Sequence, residues 1–228
     1  MVKINHIDDK SDLSSPLWRS GGASLAILST AYLAPIQYYS KLIQYSSCII
    51  EHFEHFTKQT YRSRCDIYSP NGLKTLSVPL VKRDHRQAVK DLKISYDYDW
   101  QKLHWRTLES SYRRSPYFEY FEDDLSPFFH DKKFDYLIDL NEALQQEILS
   151  LLKLKPKYSF TSEYHKIVAD ADDYRNLILP KNTFDSDKTF QSVKYMQVFE
   201  TRHGFIPNLS IVDLLFNQGP RAIEQLKV

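Results

Sequence analysis

Residues 25–53 read LAILSTAYLAPIQYYSKLIQYSSCIIEHF. The opening LAILS run is apolar and short enough for a buried strand, and Thr30, Tyr32 and Pro35 follow as a loop. Ile36, Tyr39 and Ile43 then recur at helical spacing, with Ser46 on the next turn. Cys48 to Phe53 is again short and apolar, β-branched at Ile49 and Ile50. Strand, helix, strand in that order is a β-α-β unit, and its handed crossover lays the two strands parallel and side by side. The loop carrying Tyr32 and the loop beginning at Glu51 therefore share one edge of the sheet.

That second loop is the densest polar stretch of the chain. From Glu51 to Ile67 it reads EHFEHFTKQTYRSRCDI, setting Glu51, His52, Glu54, His55, Lys58, Arg62 and Arg64 between apolar runs. Binding and catalytic groups gather on such loops because a rigid scaffold positions them while leaving them accessible. Downstream, Cys65 and Ile67 alternate with Arg64 and Asp66, Pro70-Asn71-Gly72 supplies turn chemistry, and Leu76, Val78 and Leu80 alternate on the return. The hairpin so predicted turns Cys65 and Ile67 inward and sets Arg62 and Arg64 together on the opposite face, since side chains two apart on a strand point the same way.

After a polar connection from Lys82 to Lys90, Leu92, Ile94 and Tyr96 alternate as a further strand. The period then changes. Trp100, Leu103, Thr107, Leu108, Ser111 and Tyr112 share one helical face, capped by Asp97 or Asp99 and ended at Ser115-Pro116, with His104 on the border of that face. Helices are also expected from Pro116 to about Phe129 and from Leu140 to Leu152, a short strand within Tyr158–Tyr164, a loop or single turn over Asp170–Leu179, and a last helix over Ile211–Phe216 stopped by Gly219-Pro220. Val193–Phe199 fits strand and helix equally. The class is α/β: a mixed sheet with an opening β-α-β unit and an antiparallel hairpin, packed by several helices. Residues 1–22 read as a loose polar leader and residues 23–228 as a single domain.

With 228 residues, 42% hydrophobic and 14% aromatic, the chain can bury a sizeable core. Thirty basic against 29 acidic residues give a charge of +1, so no global field draws it to nucleic acid or an anionic membrane. Neither a secretion signal nor a run of about 20 apolar residues is present, so no membrane insertion and a cytoplasmic location are expected. Cys48 and Cys65 are too few for a disulfide framework or a zinc site and read as buried strand residues.

The chemistry-bearing residues each have two readings. Arg62 and Arg64, with Lys58 nearby, suit an anion, because a guanidinium fork matches phosphate or carboxylate two bonds at a time. The same pair reads as a solvated strand face bridged to Asp66 or Glu51. Glu51, His55 and His104 have the types needed for acid–base work, imidazole as carrier and carboxylate as orienter. A border histidine is as readily a satisfied structural group. Tyr32, Trp105 and Tyr112 would suit stacking on a sugar or base, although 16 Tyr and 13 Phe mean that most aromatics are core. No H-E-x-x-H helix, facial triad or Gly-rich phosphate loop occurs, so neither a metal nor a cofactor is expected.

Taken together, the motifs resemble a known family. Tyr32-x-x-Pro35, Glu51-His52-Phe53-x-x-Phe56-x-Lys58-Gln59-Thr60-Tyr61-Arg62-Ser63-Arg64, Asn71-Gly72 with Leu76-x-Val78-Pro79, Trp100-x-x-x-His104-Trp105, Ser110-Ser111-Tyr112-x-x-Ser115-Pro116-Tyr117-Phe118 and Leu209-Ser210-Ile211-Val212-Asp213-Leu214-Leu215-Phe216-Asn217-x-Gly219 resemble, in this order, the WbqC-like protein family over residues 25–220. Two positions depart from the family's usual pattern: Ser63 stands where Asn is common between the arginines, and Thr30-Ala31 where many members have Gln-Pro. The resemblance implies a place in surface polysaccharide biosynthesis and action on activated amino sugars. The function expected is therefore acyl or aminoacyl group transfer to a phosphate-bearing or nucleotide-linked amino sugar, a small anionic substrate. Arg62, Arg64, Lys58, Tyr32, Trp105 and Tyr112 would hold it, and Glu51, His55 or His104 would move the proton. The alternative is a non-catalytic binding module or assembly factor that grips an acidic partner.

Overall fold

The computed structural model describes residues 25–82, 87–131, 133–168 and 170–227; the leader expected at residues 1–22 lies outside them. β1 (Leu25–Ser29) is followed by α1 (Ile36–Gln44) and β2 (Ser47–Glu51), and the strands run parallel from Leu25↔Ser47 to Ser29↔Glu51. Ala26, Ile27 and Leu28 are fully buried, as a strand covered on both faces requires. Pro35 precedes α1, whose Ile36, Tyr39 and Leu42 turn into the core.

β3 (Arg64–Ser69) and β4 (Gly72–Ser77) form the predicted hairpin, paired from Arg64↔Ser77 to Ser69↔Gly72, with Cys65 and Ile67 buried and Gly72 at φ +91° in the turn. β3 begins at Arg64, later than the alternation predicts, so Arg62 and Ser63 lie in the turn before it. The strand expected over Leu92–Tyr96 does not form. Leu92 and Ile94 point inward as the alternation demands, but only single bridges, Leu80↔Ile94 and Lys93↔Tyr136, flank them, so no ladder extends.

α2 (Trp100–Tyr112) starts at Asp99, whose carboxylate accepts from the Lys102 amide at 3.3 Å. Leu103 is 56% exposed while His104 is 3% exposed, so the buried face is turned from the one the apolar pattern marks. The long helix expected after Pro116 divides into α3 (Phe118–Leu125) and α4 (Pro127–His130), because Pro127 has no N–H to continue the first and suits the first turn of the second. α5 (Leu137–Leu151) leads to β5 (Tyr158–Phe160), and β6 (Asp172–Asp173) lies where only a loop or turn was expected.

The parallel sheet has the order β5-β2-β1-β6. Val193–Phe199 forms neither helix nor strand before α6 (Glu200–His203). α7 (Ile211–Gln218) ends at Gly219, at φ +54°, where a Cβ would stand 2.5 Å from the Tyr117 ring, and α8 (Ala222–Leu226) follows unannounced by the sequence. Cys48 and Cys65 are buried free thiols, and no helix among the described residues is long and apolar enough to cross a membrane.

Candidate functional site

The register of the parallel strands decides where functional groups gather. Ser29 pairs with Glu51 and Ile50 with Phe160, while the ladders continue through Thr161 N to Ile50 O at 3.1 Å and Tyr174 N to Ile27 O at 2.9 Å. The carboxyl ends of all four strands therefore lie within two residues of one another along the sheet. The chain builds outward from β1 to β2 and β5, then returns to the far side of β1 as β6. An open α/β sheet leaves its binding crevice where the order reverses in this way. A cavity of about 10 Å³ lies there among Ser29, Thr30, Ala31, Arg62 and Tyr174, a space on the scale of one water.

A buried ionic network closes this edge. Glu51 is fully buried and accepts from the Phe53 amide at 2.7 Å, Thr161 Oγ1 at 2.8 Å and Arg175 Nη1 at 3.0 Å. Arg175, 2% exposed, also donates to Asp173 Oδ2 at 2.6 Å and to the carbonyl of His165 at 2.8 Å, and its guanidinium lies 5.3 Å from the Tyr164 ring centre. Arg62 grips Glu54 in a fork, Nε to Oε1 at 2.7 Å and Nη2 to Oε2 at 2.6 Å, and donates to Ser29 Oγ at 2.8 Å. Ser29 Oγ in turn reaches the Arg175 carbonyl at 3.4 Å, which joins the two ion pairs. Desolvating such charges costs several kcal/mol per ion, about what their attraction returns, so they make poor ballast for stability. Paired charges buried together at a crevice mark a candidate functional site instead.

The expected site residues divide between this edge, the adjoining hairpin and the core. Glu51 and Arg62 belong to the network. Tyr32, in the loop after β1, is buried, and its hydroxyl meets His104 Nδ1 at 2.9 Å. Burial pushes the His104 imidazole down to about 4, against a hydrogen bond to the Ser77 backbone that favours its charged form, so it is neutral at pH 7. With Ser77 taking a ring N–H, Nδ1 is left to accept from Tyr32. Arg64, half-buried opposite Ser77, has its Nε shielded from solvent without a hydrogen-bond partner among the described residues. His55 and Lys58 are exposed on the same loop.

Trp105 and Tyr112 lie in the core: Trp105 packs on Phe118 and Phe129, and Tyr112 donates to Asp213 Oδ1 at 2.9 Å while accepting from the Tyr68 amide. His52 stacks on Phe160 with centroids 4.5 Å apart, and burial lowers its pKa. Among the described residues, no group of three or more His, Cys, Asp or Glu side chains is placed to hold a metal. Sequence reasoning missed Arg175, Thr161 and Asp173. The one local signal for Asp173 and Arg175 is the cluster of acids beside a single arginine at Asp170–Arg175, in a stretch read as a loop.

Across residues 30–225 the chain matches the family model for the WbqC-like protein family. The chain belongs to that family. The match takes in every quoted motif and every residue of the ionic network except Ser29, which lies one position before it. This WbqC-like chain is also 25% identical over 225 residues to a protein of Mycobacterium tuberculosis (strain ATCC 25618 / H37Rv), "Uncharacterized protein Rv1507c", covering 89% of this chain and 97% of the relative. No solved structure matches.

Proposed function

We propose that this WbqC-like protein is a cytoplasmic group-transfer enzyme that passes an acyl or aminoacyl group to a phosphate-bearing or nucleotide-linked amino sugar for surface polysaccharide. One observation carries the reading: Arg64, two residues after Arg62 of the buried network, holds a shielded Nε donor that has no acceptor among the described residues. Arg62 spends its Nε and Nη2 on Glu54 and Ser29, so Arg64 and the exposed Lys58 are the cations left to meet the substrate's phosphate. Glu51 acts as a positioning residue, since its bonds to Phe53, Thr161 and Arg175 fix the start of the loop that carries His55. The His55 imidazole takes the proton of the attacking amine as the new N–C bond forms and the donor's leaving group departs. His104, neutral and bonded to Tyr32, holds the β1 loop beneath.

The test is turnover. Nucleotide-linked amino sugars are incubated with activated acyl and aminoacyl donors, and the acceptor's mass is followed. The expected result is a mass gain for one donor–acceptor pair, slowed by about a hundredfold or more in His55→Ala. No gain for any pair, together with a co-purifying acidic protein released by salt, would support the binding-module alternative.

A further inference from the structure

A second charged surface lies away from the strand ends. The last turns of α2, the hairpin turn at Pro70 and the segment entering α6 enclose a groove of about 760 Å³, lined by Arg106, Arg113, Arg114 and Arg202. Glu109 and Glu122 hold Arg113, at 2.7 and 3.2 Å. Arg106, Arg114 and Arg202 are exposed and make no ion pair among the described residues, in a chain whose overall charge is +1. The excess of positive charge is therefore local. Ser111 lines the same groove, is 2% exposed, and its Oγ has no hydrogen-bond partner among the described residues. Neighbouring Ser110 and Thr107 bond back to helix carbonyls in the ordinary way, at 3.0 and 2.8 Å. Phe199 completes the wall with a half-buried ring.

We propose that this groove binds a nucleoside diphosphate, with Arg106, Arg114 and Arg202 on the phosphates, Ser111 Oγ donating to a phosphate oxygen and Phe199 against the base. The volume lies in the range of small-ligand sites. Guanidinium groups around a wall with a buried, unpartnered hydroxyl and an aromatic side chain match a short polyphosphate joined to a flat ring. A nucleic acid would need a basic track extending beyond the groove, which the balanced charge does not supply. The site goes beyond the proposed transfer reaction and does not rest on it. The two share no lining residue, and Ser111 stands about 10 Å along α2 from His104.

The test is calorimetric titration of the full chain with uridine diphosphate, with uridine, inorganic phosphate and a polyglutamate peptide as comparison probes. Uridine diphosphate is expected to bind tightest, and its Kd to rise about a hundredfold in Arg114→Ala/Arg202→Ala. Ser111→Ala, which removes no charge, is expected to weaken binding about fivefold. Both arginines are exposed, so an unchanged Tm confirms that the double variant folds. The proposal is overturned if uridine diphosphate does not bind at millimolar concentration, if it binds the double variant as well as the parent, or if polyglutamate binds more tightly. Loss of uridine diphosphate binding in Arg64→Ala with the groove intact would also overturn it, by moving that ligand to the strand-end site.

Discussion

Arg175 Nη1 donates to Glu51 Oε2 at 3.0 Å across 124 residues of sequence, with both side chains shut away from solvent. This contact ties the loop after β6 to the end of β2 and brackets the point where the strand order reverses. Replacing Arg175 by Met leaves a carboxylate buried without its cation, at an expected cost of about 3–5 kcal/mol in urea unfolding. Adding Glu51→Gln to that variant should recover part of the loss. A cost under about 1 kcal/mol would mean that the pair behaves as a surface contact.

Arg62 and Glu54 test geometry rather than charge. Lysine at position 62 keeps the charge but cannot donate along both Nε and Nη2, so Arg62→Lys is expected to cost about 1–2 kcal/mol. A double-mutant cycle of Arg62→Met with Glu54→Gln is expected to give a coupling of about 1–3 kcal/mol. Additive losses would separate the two residues.

Two buried groups set opposing pH slopes. His104 is held down to about 4 by burial, below the 6.5 of a free imidazole, so the unfolded chain takes up its proton first. Its contribution is fully present above pH 6.5 and is lost as pH falls toward 4, by roughly 3 kcal/mol. Asp213, fully buried among Tyr112, Tyr195 and Gln197, is pushed up to about 6 by desolvation, so its contribution is present below the ordinary carboxylate range and lost as pH rises through 6. The two effects oppose each other between pH 4 and 6. His104→Gln removes the first, and unfolding free energy measured against pH should then fall over that interval instead of staying nearly level. An unaltered profile would show that His104 is not the group that is held down.

How much of this was legible follows from the range of each interaction. The β-α-β unit and the hairpin announce themselves because their periods are local, and the near-level strand ends follow from the parallel pairing that the unit dictates. Arg175 was hidden because a contact across 124 residues leaves no mark on either segment. β6 was hidden because it is two aspartates long, without the apolar run that marks a strand. Leu92–Tyr96 misled in the opposite sense: its inward alternation reflects burial against the core, with single bridges in place of a ladder. His104 displaced Leu103 from the buried face because Tyr32 and Ser77 satisfy both ring nitrogens, a provision that hydropathy cannot register.

The most direct test of the proposed site is the ligand-induced shift in Tm with nucleotide-linked amino sugars, run on Arg114→Ala/Arg202→Ala protein so that the basic groove does not contribute. The account predicts a rise of about 5 °C or more at about a hundredfold excess over Kd for at least one such sugar, and loss of that rise on adding Arg64→Ala while the unliganded Tm stays put. A rise that survives Arg64→Ala, or no rise with any nucleotide-linked amino sugar, would contradict it.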